Sequence, residues 1–151
     1  MKKFFSILFV LTMLGMVFTA CGDDKDEPKV PETQNLVSEH ENDETDTYYV
    51  FDIDMTKDKS AIYMHNMEFG APFKMTLRVN LPVSLNQSGD AYIMSGSNIV
   101  AEMQRGGSWT PMTDEKYQLN NLKCTVNPSA KTFSISFDSH GGHFEDSGKL
   151  R

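Results

Sequence analysis

The sequence predicts an all-β domain of about eight antiparallel strands, arranged as a sandwich or as an up-and-down barrel. Three observations carry this. From Thr47 onward apolar residues recur at every second position, as in Tyr49, Phe51, Ile53 and Met55. Turn-forming clusters of Gly, Pro, Asn, Asp and Ser interrupt that pattern at short intervals. No stretch of the body holds the 3.6-residue period of a helix.

Taken in order, the first strand is the alternation beginning at Thr47, with Asp52 and Asp54 on its wet face. A turn at Thr56, Lys57, Asp58 and Lys59 leads to a second run over 61–69, which Gly70, Ala71 and Pro72 break. Met75, Leu77, Val79 and Leu81 alternate with Thr76, Arg78 and Asn80, the cleanest strand signal in the chain. Pro82 cannot donate to a ladder, so it ends that strand or places it at an edge or bulge. Asn86 to Asp90 form a hairpin turn, followed by short strands over 91–95 and 98–103. Residues 104–115, with Gly106, Gly107 and Pro111, read as a loop. A strand over 117–126 is bulged at Asn120 and Asn121. Asn127 and Pro128 turn the chain into the alternation Phe133, Ile135, Phe137, and Gly141-Gly142 supplies a two-residue hairpin turn before the last strand. Eight strands suffice to close a barrel whose interior holds side chains or one small ligand.

Ahead of this body stands a secretory leader. Lys2 and Lys3 form a basic start, an apolar run extends over 4–17, and small residues follow at Thr19 and Ala20. The run is shorter than the ~20 residues needed to cross ~30 Å of hydrocarbon, so it is a cleavable signal. Phe18-Thr19-Ala20-Cys21 resembles a lipobox, with Phe where Leu is usual. That resemblance implies cleavage after Ala20 and acylation of Cys21 by a diacylglycerol thioether and an N-acyl chain. Two or more chains hold a protein stably on a bilayer, where one does so only marginally. Gly22, not Asp, follows the cysteine, and the run Asp23-Asp24-Lys25-Asp26-Glu27 resembles the acidic surface-export signal of Bacteroidetes lipoproteins. The outer membrane is the expected location, with the domain on either its periplasmic or its outward side.

Three segments follow: a signal peptide over 1–20, the lipidated Cys21 with a flexible acidic linker over 21–45, and a domain over 46–151. The chain carries 14 basic and 21 acidic residues, a net −7. Ten of the acidic residues and two of the basic ones lie between 22 and 46, so the body is nearly neutral. A body of that balance presents no basic face for nucleic acid. The linker is too polar to offset its ordering entropy, and reaches roughly 25–30 Å r.m.s. if fully flexible. With Cys21 taken by lipid, Cys124 is left as a buried structural thiol between Leu122 and Val126.

Candidate sites are few. His140 and His143 flank the last turn, and facing one another across a hairpin they would be a weak candidate pair for a transition metal. The bland alternative is a polar hairpin tip. Asp52, Asp54, Thr56 and Asp58 place oxygens at alternate positions as a calcium loop does, but lack its Gly and its terminal Glu, and strand alternation already explains them. Trp109, the only tryptophan, and Arg105 lie in the 104–115 loop. They are the candidate ligand or partner contact at a barrel mouth, the alternative for Trp109 being a plug over the core. Seven methionines remain after the leader, suited either to an adaptable apolar pocket or to a packed core. Ser95 lacks the glycine pattern of a nucleophile elbow, and no phosphate loop or dinucleotide fingerprint is present, so no catalytic residue is assigned.

The segments 62–70, 77–83 and 89–96, together with Phe133-Ser134-Ile135-Ser136-Phe137, resemble the small calycin-like lipoproteins of Bacteroidetes over residues 46–151. The resemblance implies a lipocalin-like or streptavidin-like barrel and brings no assigned activity. Two functions compete. One is a membrane-anchored module binding a small apolar ligand or a partner, and the other is an accessory subunit of an outer-membrane complex with a solid core. No cofactor is expected.

Overall fold

The computed structural model describes residues 30–39, 46–68 and 73–151. The leader, Cys21, residues 22–29 and 40–45 of the expected linker, and the expected break at Gly70, Ala71 and Pro72 lie outside them. The described chain is all-β. Its strands are β1 (Thr33–Val37), β2 (Tyr48–Asp54), β3 (Lys59–Met67), β4 (Met75–Leu85), β5 (Tyr92–Gly96), β6 (Glu102–Arg105), β7 (Ser108–Pro111), β8 (Asn120–Asn127), β9 (Thr132–Ser139) and β10 (Gly142–Lys149). Eight run as one antiparallel path, β1-β2-β3-β4-β5-β8-β9-β10, and the β6–β7 hairpin attaches to β4.

The path curls into a half-barrel. Alternation turns Phe51, Ile53, Ile62, Met64, Leu77, Val79, Met94, Leu122, Val126, Ile135 and Phe137 to one side, all at most 2% exposed. The curl brings β2 against β9, so that Phe133 packs on Tyr49 at 5.2 Å and on Phe51 at 5.4 Å between ring centroids. The two ends of the path meet at one corner: Ser38 bridges Leu150, and the Arg151 N–H donates to the Val37 carbonyl at 3.0 Å. Each of these large apolar side chains contributes ~1.5–3 kcal/mol by leaving water. Met64, Met67, Met75, Met94 and Met103 are part of this filled core.

The expected linker is in part a strand. β1 pairs with β2 from Thr33↔Asp54 to Val37↔Val50, Leu36 is buried, and Val30 joins the core at 5% exposure. The buried Tyr92 hydroxyl donates to the Pro31 carbonyl at 2.5 Å. The domain therefore begins by Val30, not at residue 46. Thr33-Gln34-Asn35 hides this strand from a hydrophobicity reading, because the ladder to β2 and two apolar contacts hold it.

Other elements also shift. β4 does not end at Pro82: Lys59↔Pro82 is its last pair with β3, and from Val83 it pairs with β5. Proline sits where the strand changes neighbours, a place that asks for no donor. The expected strand over 98–103 is interrupted by Asn98, at φ 55°, and only Glu102–Arg105 forms β6. The expected loop over 104–115 contains β7. The β9–β10 turn is His140-Gly141, at φ 51° and 74°, one residue earlier than Gly141-Gly142. The bulge in β8 is present, between Asn120 and Lys123, with Asn121 at φ 52°.

Candidate functional site

The outer face of β3, β4, β6 and β7 carries the best-defined cluster of side chains outside the core. With Ile62, Leu77 and Met103 turned inward, their neighbours Tyr63, Arg78 and Glu102 must point outward, and the register sets these three side by side across β3, β4 and β6. The Gly106-Gly107 turn, at φ 53° and 83°, closes β6–β7 as a two-residue hairpin. That turn fixes Gln104 opposite Trp109, so Trp109 shares the outward face of Gln104. Tyr63 and Trp109 rings then meet at 5.8 Å and 57°, and the Arg78 guanidinium lies 4.5 Å from the Trp109 ring centroid.

Glu102 anchors this arrangement. Its Oε2 accepts from Arg78 Nε at 2.8 Å and Nη2 at 2.7 Å, and from Asn80 Nδ2 at 3.3 Å. The hydrogen bonds to Glu102 hold the Arg78 pKa above its ordinary value. Arg78 and Glu102 side chains are each 25% exposed, a setting in which an ion pair contributes at most ~1 kcal/mol and mainly fixes geometry. The cation over the indole adds ~0.5–2 kcal/mol. Next along the same face, His65 stacks on Tyr48 at 4.2 Å and 2°, with its Nδ1 3.5 Å from the Thr76 hydroxyl. Burial pushes the His65 pKa down.

Trp109 is thus neither in a loop nor a plug over the core. Arg105 does not join it: Arg105 is exposed and lines a 300 Å³ depression with Phe73 and Lys74. Arg78, and not Arg105, is the arginine beside Trp109. Its sequence signal was only a cation amid Leu77 and Val79, and its aromatic partner depends on a register that β6–β7 sets.

His140 and His143 do not face one another. His140 occupies the left-handed turn and stacks on Tyr117 at 5.5 Å, whereas His143 stands opposite Asp138, with Nδ1 2.6 Å from Oδ1. Asn121 Nδ2 donates to the other Asp138 oxygen at 2.7 Å, and these two partners, Asn121 foremost, lower the Asp138 pKa. The Asp54 carboxylate is likewise engaged, by Lys57 Nζ at 2.6 Å and by the Thr56 N–H at 3.1 Å, as the cap of a single 3-10 turn. Among the described residues no group of three or more His, Cys, Asp or Glu side chains stands ready to hold a metal ion.

Two further features belong to the domain's edges. An open cleft of 410 Å³ lies between the β2–β3 end and β10, with Asp46, Glu68, Glu145 and Asp146 on its rim and Tyr49, Ile135 and Phe137 at its base. Burial, and after it the charge of Asp146, pushes the Tyr49 pKa up. Cys124 is 1% exposed, and burial pushes its thiol up to about 12. A thiol so placed is not a nucleophile at neutral pH. Comparisons with protein-family models, with curated proteins and with solved structures found no match.

Proposed function

We propose that this chain is a lipoprotein of the bacterial cell envelope, anchored through acylated Cys21 in the outer membrane, whose β domain works through its surface as a partner-binding or accessory module. The observation that carries this is the contrast between its two sides. Phe51, Tyr92, Met64, Met94 and Phe137 fill the interior, each at most 2% exposed, while Trp109, Tyr63 and Arg78 stand half-buried on the outer face. Half-buried Trp, Tyr and Arg are the residue types that dominate binding energy at interfaces. The filled interior favours the accessory reading over a small apolar ligand held inside. No catalytic step is assigned.

Native mass spectrometry of the full chain, extracted gently from its own envelope, tests this. A protein partner that is lost on Trp109→Ala or Arg78→Ala is the expected result. A reproducible non-covalent added mass of a few hundred daltons, beyond the acyl groups on Cys21, with no protein partner would refute it in favour of an internal ligand. For the anchor, Cys21→Ala is expected to move the protein from the membrane to the soluble fraction.

A further inference from the structure

Resting on the reading of the β3–β4–β6–β7 outer face as the working surface, we infer that the group it takes is a neutral saccharide chain. A sugar ring has two kinds of surface, a face of C–H groups and a rim of hydroxyls. Its site needs an aromatic platform beside a few fixed polar groups, with no net charge left over.

Tyr63 and Trp109 supply the platform. Their rings are in contact, at 5.8 Å between centroids, so no slot parts them, and both side chains are partly open to solvent. Aromatic faces carry partial negative charge, which attracts C–H groups polarised by neighbouring oxygens. The polar groups stand beside the rings and are held by them. Arg78 lies over the indole, donates to Glu102 Oε2 and also donates to the Tyr63 hydroxyl, while Asn80 Nδ2 donates to the same Glu102 oxygen. Arg78 and Glu102 cancel in charge. Glu102 Oε1, Asn80 Oδ1 and the Trp109 indole N–H have no partner among the described residues, so fixed acceptors and a fixed donor remain for hydroxyl groups.

The face then dips beside Asn80. Register sets Asp52, Ala61 and Asn80 in a row across β2, β3 and β4, next to the row of Tyr63 and Arg78. Ala61 is too short to fill its place, and a depression of 230 Å³ lies there, with the Asp52 and Asn80 side chains exposed at its sides. Asp54 on its lining is met by Lys57 at 2.6 Å, and Lys59 offsets Asp52, so this part is close to neutral as well. From Glu102 to Asp52 is three strand spacings, about 14 Å. That is longer than one sugar ring, which is why a chain of sugars fits better than a monosaccharide.

Trp109, the only tryptophan, is the reporter. The acylated full chain is held in lauryldimethylamine oxide, a detergent without a sugar head. It is titrated with maltohexaose, cellohexaose, laminarihexaose and mannohexaose, and with hexagalacturonate as the charged control. A saturable change in indole emission with at least one neutral hexasaccharide is expected, and none with hexagalacturonate. Asn80→Ala and Asp52→Ala, both at exposed positions, should each weaken that binding about tenfold, the loss expected for one hydrogen bond. Arg105→Met should leave it unchanged. No change with any neutral sugar, a change with hexagalacturonate alone, or binding that Asn80→Ala and Asp52→Ala leave intact overturns the inference. Release of the protein partner by the same oligosaccharide, read by native mass spectrometry, places the saccharide on that partner. Sugar binding with no protein partner makes the saccharide itself the partner. A protein partner that is lost on Trp109→Ala, with no sugar bound, overturns the saccharide and keeps the working face. Absence of both overturns the inference and the working face together.

Discussion

Replacing Gly148 with alanine puts a methyl group where the core has no room for one. Gly148 stands opposite Phe133 in the β9–β10 ladder, and a Cβ built there meets Phe133 Cε1 at 3.0 Å and Cζ at 3.4 Å. Carbon contacts settle near 3.5–4.0 Å, so the ring must retreat by about half an ångström or more. It has nowhere to go, because Tyr49 and Phe51 hold its other side at 5.2 and 5.4 Å. Overpacking of this kind costs ~1–3 kcal/mol. Alanine recovers ~0.5–1 kcal/mol relative to glycine through lower chain entropy. The expected net loss is thus ~1–2 kcal/mol. Phe133→Leu alone loses apolar burial worth about 1–2 kcal/mol, but it vacates the space the new methyl needs. In the double variant the two losses should fail to add by ~1 kcal/mol. Urea denaturation of the Cys21→Ala chain, followed by circular dichroism and Trp109 fluorescence, measures all four corners of the cycle. Gly148→Ala that is neutral or stabilising, or that adds fully to Phe133→Leu, would refute the claim that Phe133 closes the curl against Gly148.

Four further outcomes rest on other contacts. Cys124 should resist alkylation at pH 8 in the native chain and react fully in denaturant, as quantified by mass spectrometry; ready native labelling would contradict its burial. Because the Cys124 thiol and the Tyr49 hydroxyl are both pushed up on folding, the unfolded chain loses these protons first as pH rises. Stability should therefore fall from about pH 9 upward, a trend that Cys124→Ala reduces, read from urea midpoints. His65 is shifted the opposite way for a base: the unfolded imidazole takes a proton first, so stability should fall as pH drops through about 6.5, and His65→Gln should flatten that slope. Arg78→Met removes the cation over Trp109 and should shift the indole emission at a stability loss of about 1–2 kcal/mol, whereas Arg105→Met should leave the emission unchanged.

Much of the core was legible without coordinates. Period-two alternation assigns Tyr49, Phe51 and Ile53, then Met75 to Leu81, then Phe133 to Phe137 to one face, and that face is the buried one. Such patterns are local, since successive side chains on any strand point to opposite sides. The β8 bulge could be read for the same reason, from adjacent asparagines that tolerate positive φ.

What escaped the sequence depends on pairing between distant strands. Thr33–Val37 is polar by composition and becomes a strand only because β2 offers it a ladder and the core accepts Leu36. Trp109 faces outward, beside Arg78 and not Arg105, because a two-residue turn at Gly106-Gly107 fixes the register of β7; one residue more or less would reverse its face. His140 and His143 are parted for the same reason, since moving the turn by one position places one of them in the turn and the other beside Asp138. Sequence by itself determined which residues leave water, a property of each side chain and its neighbours. Tertiary structure decided which exposed side chains meet, because register is set by turn geometry and by the closure of the whole sheet.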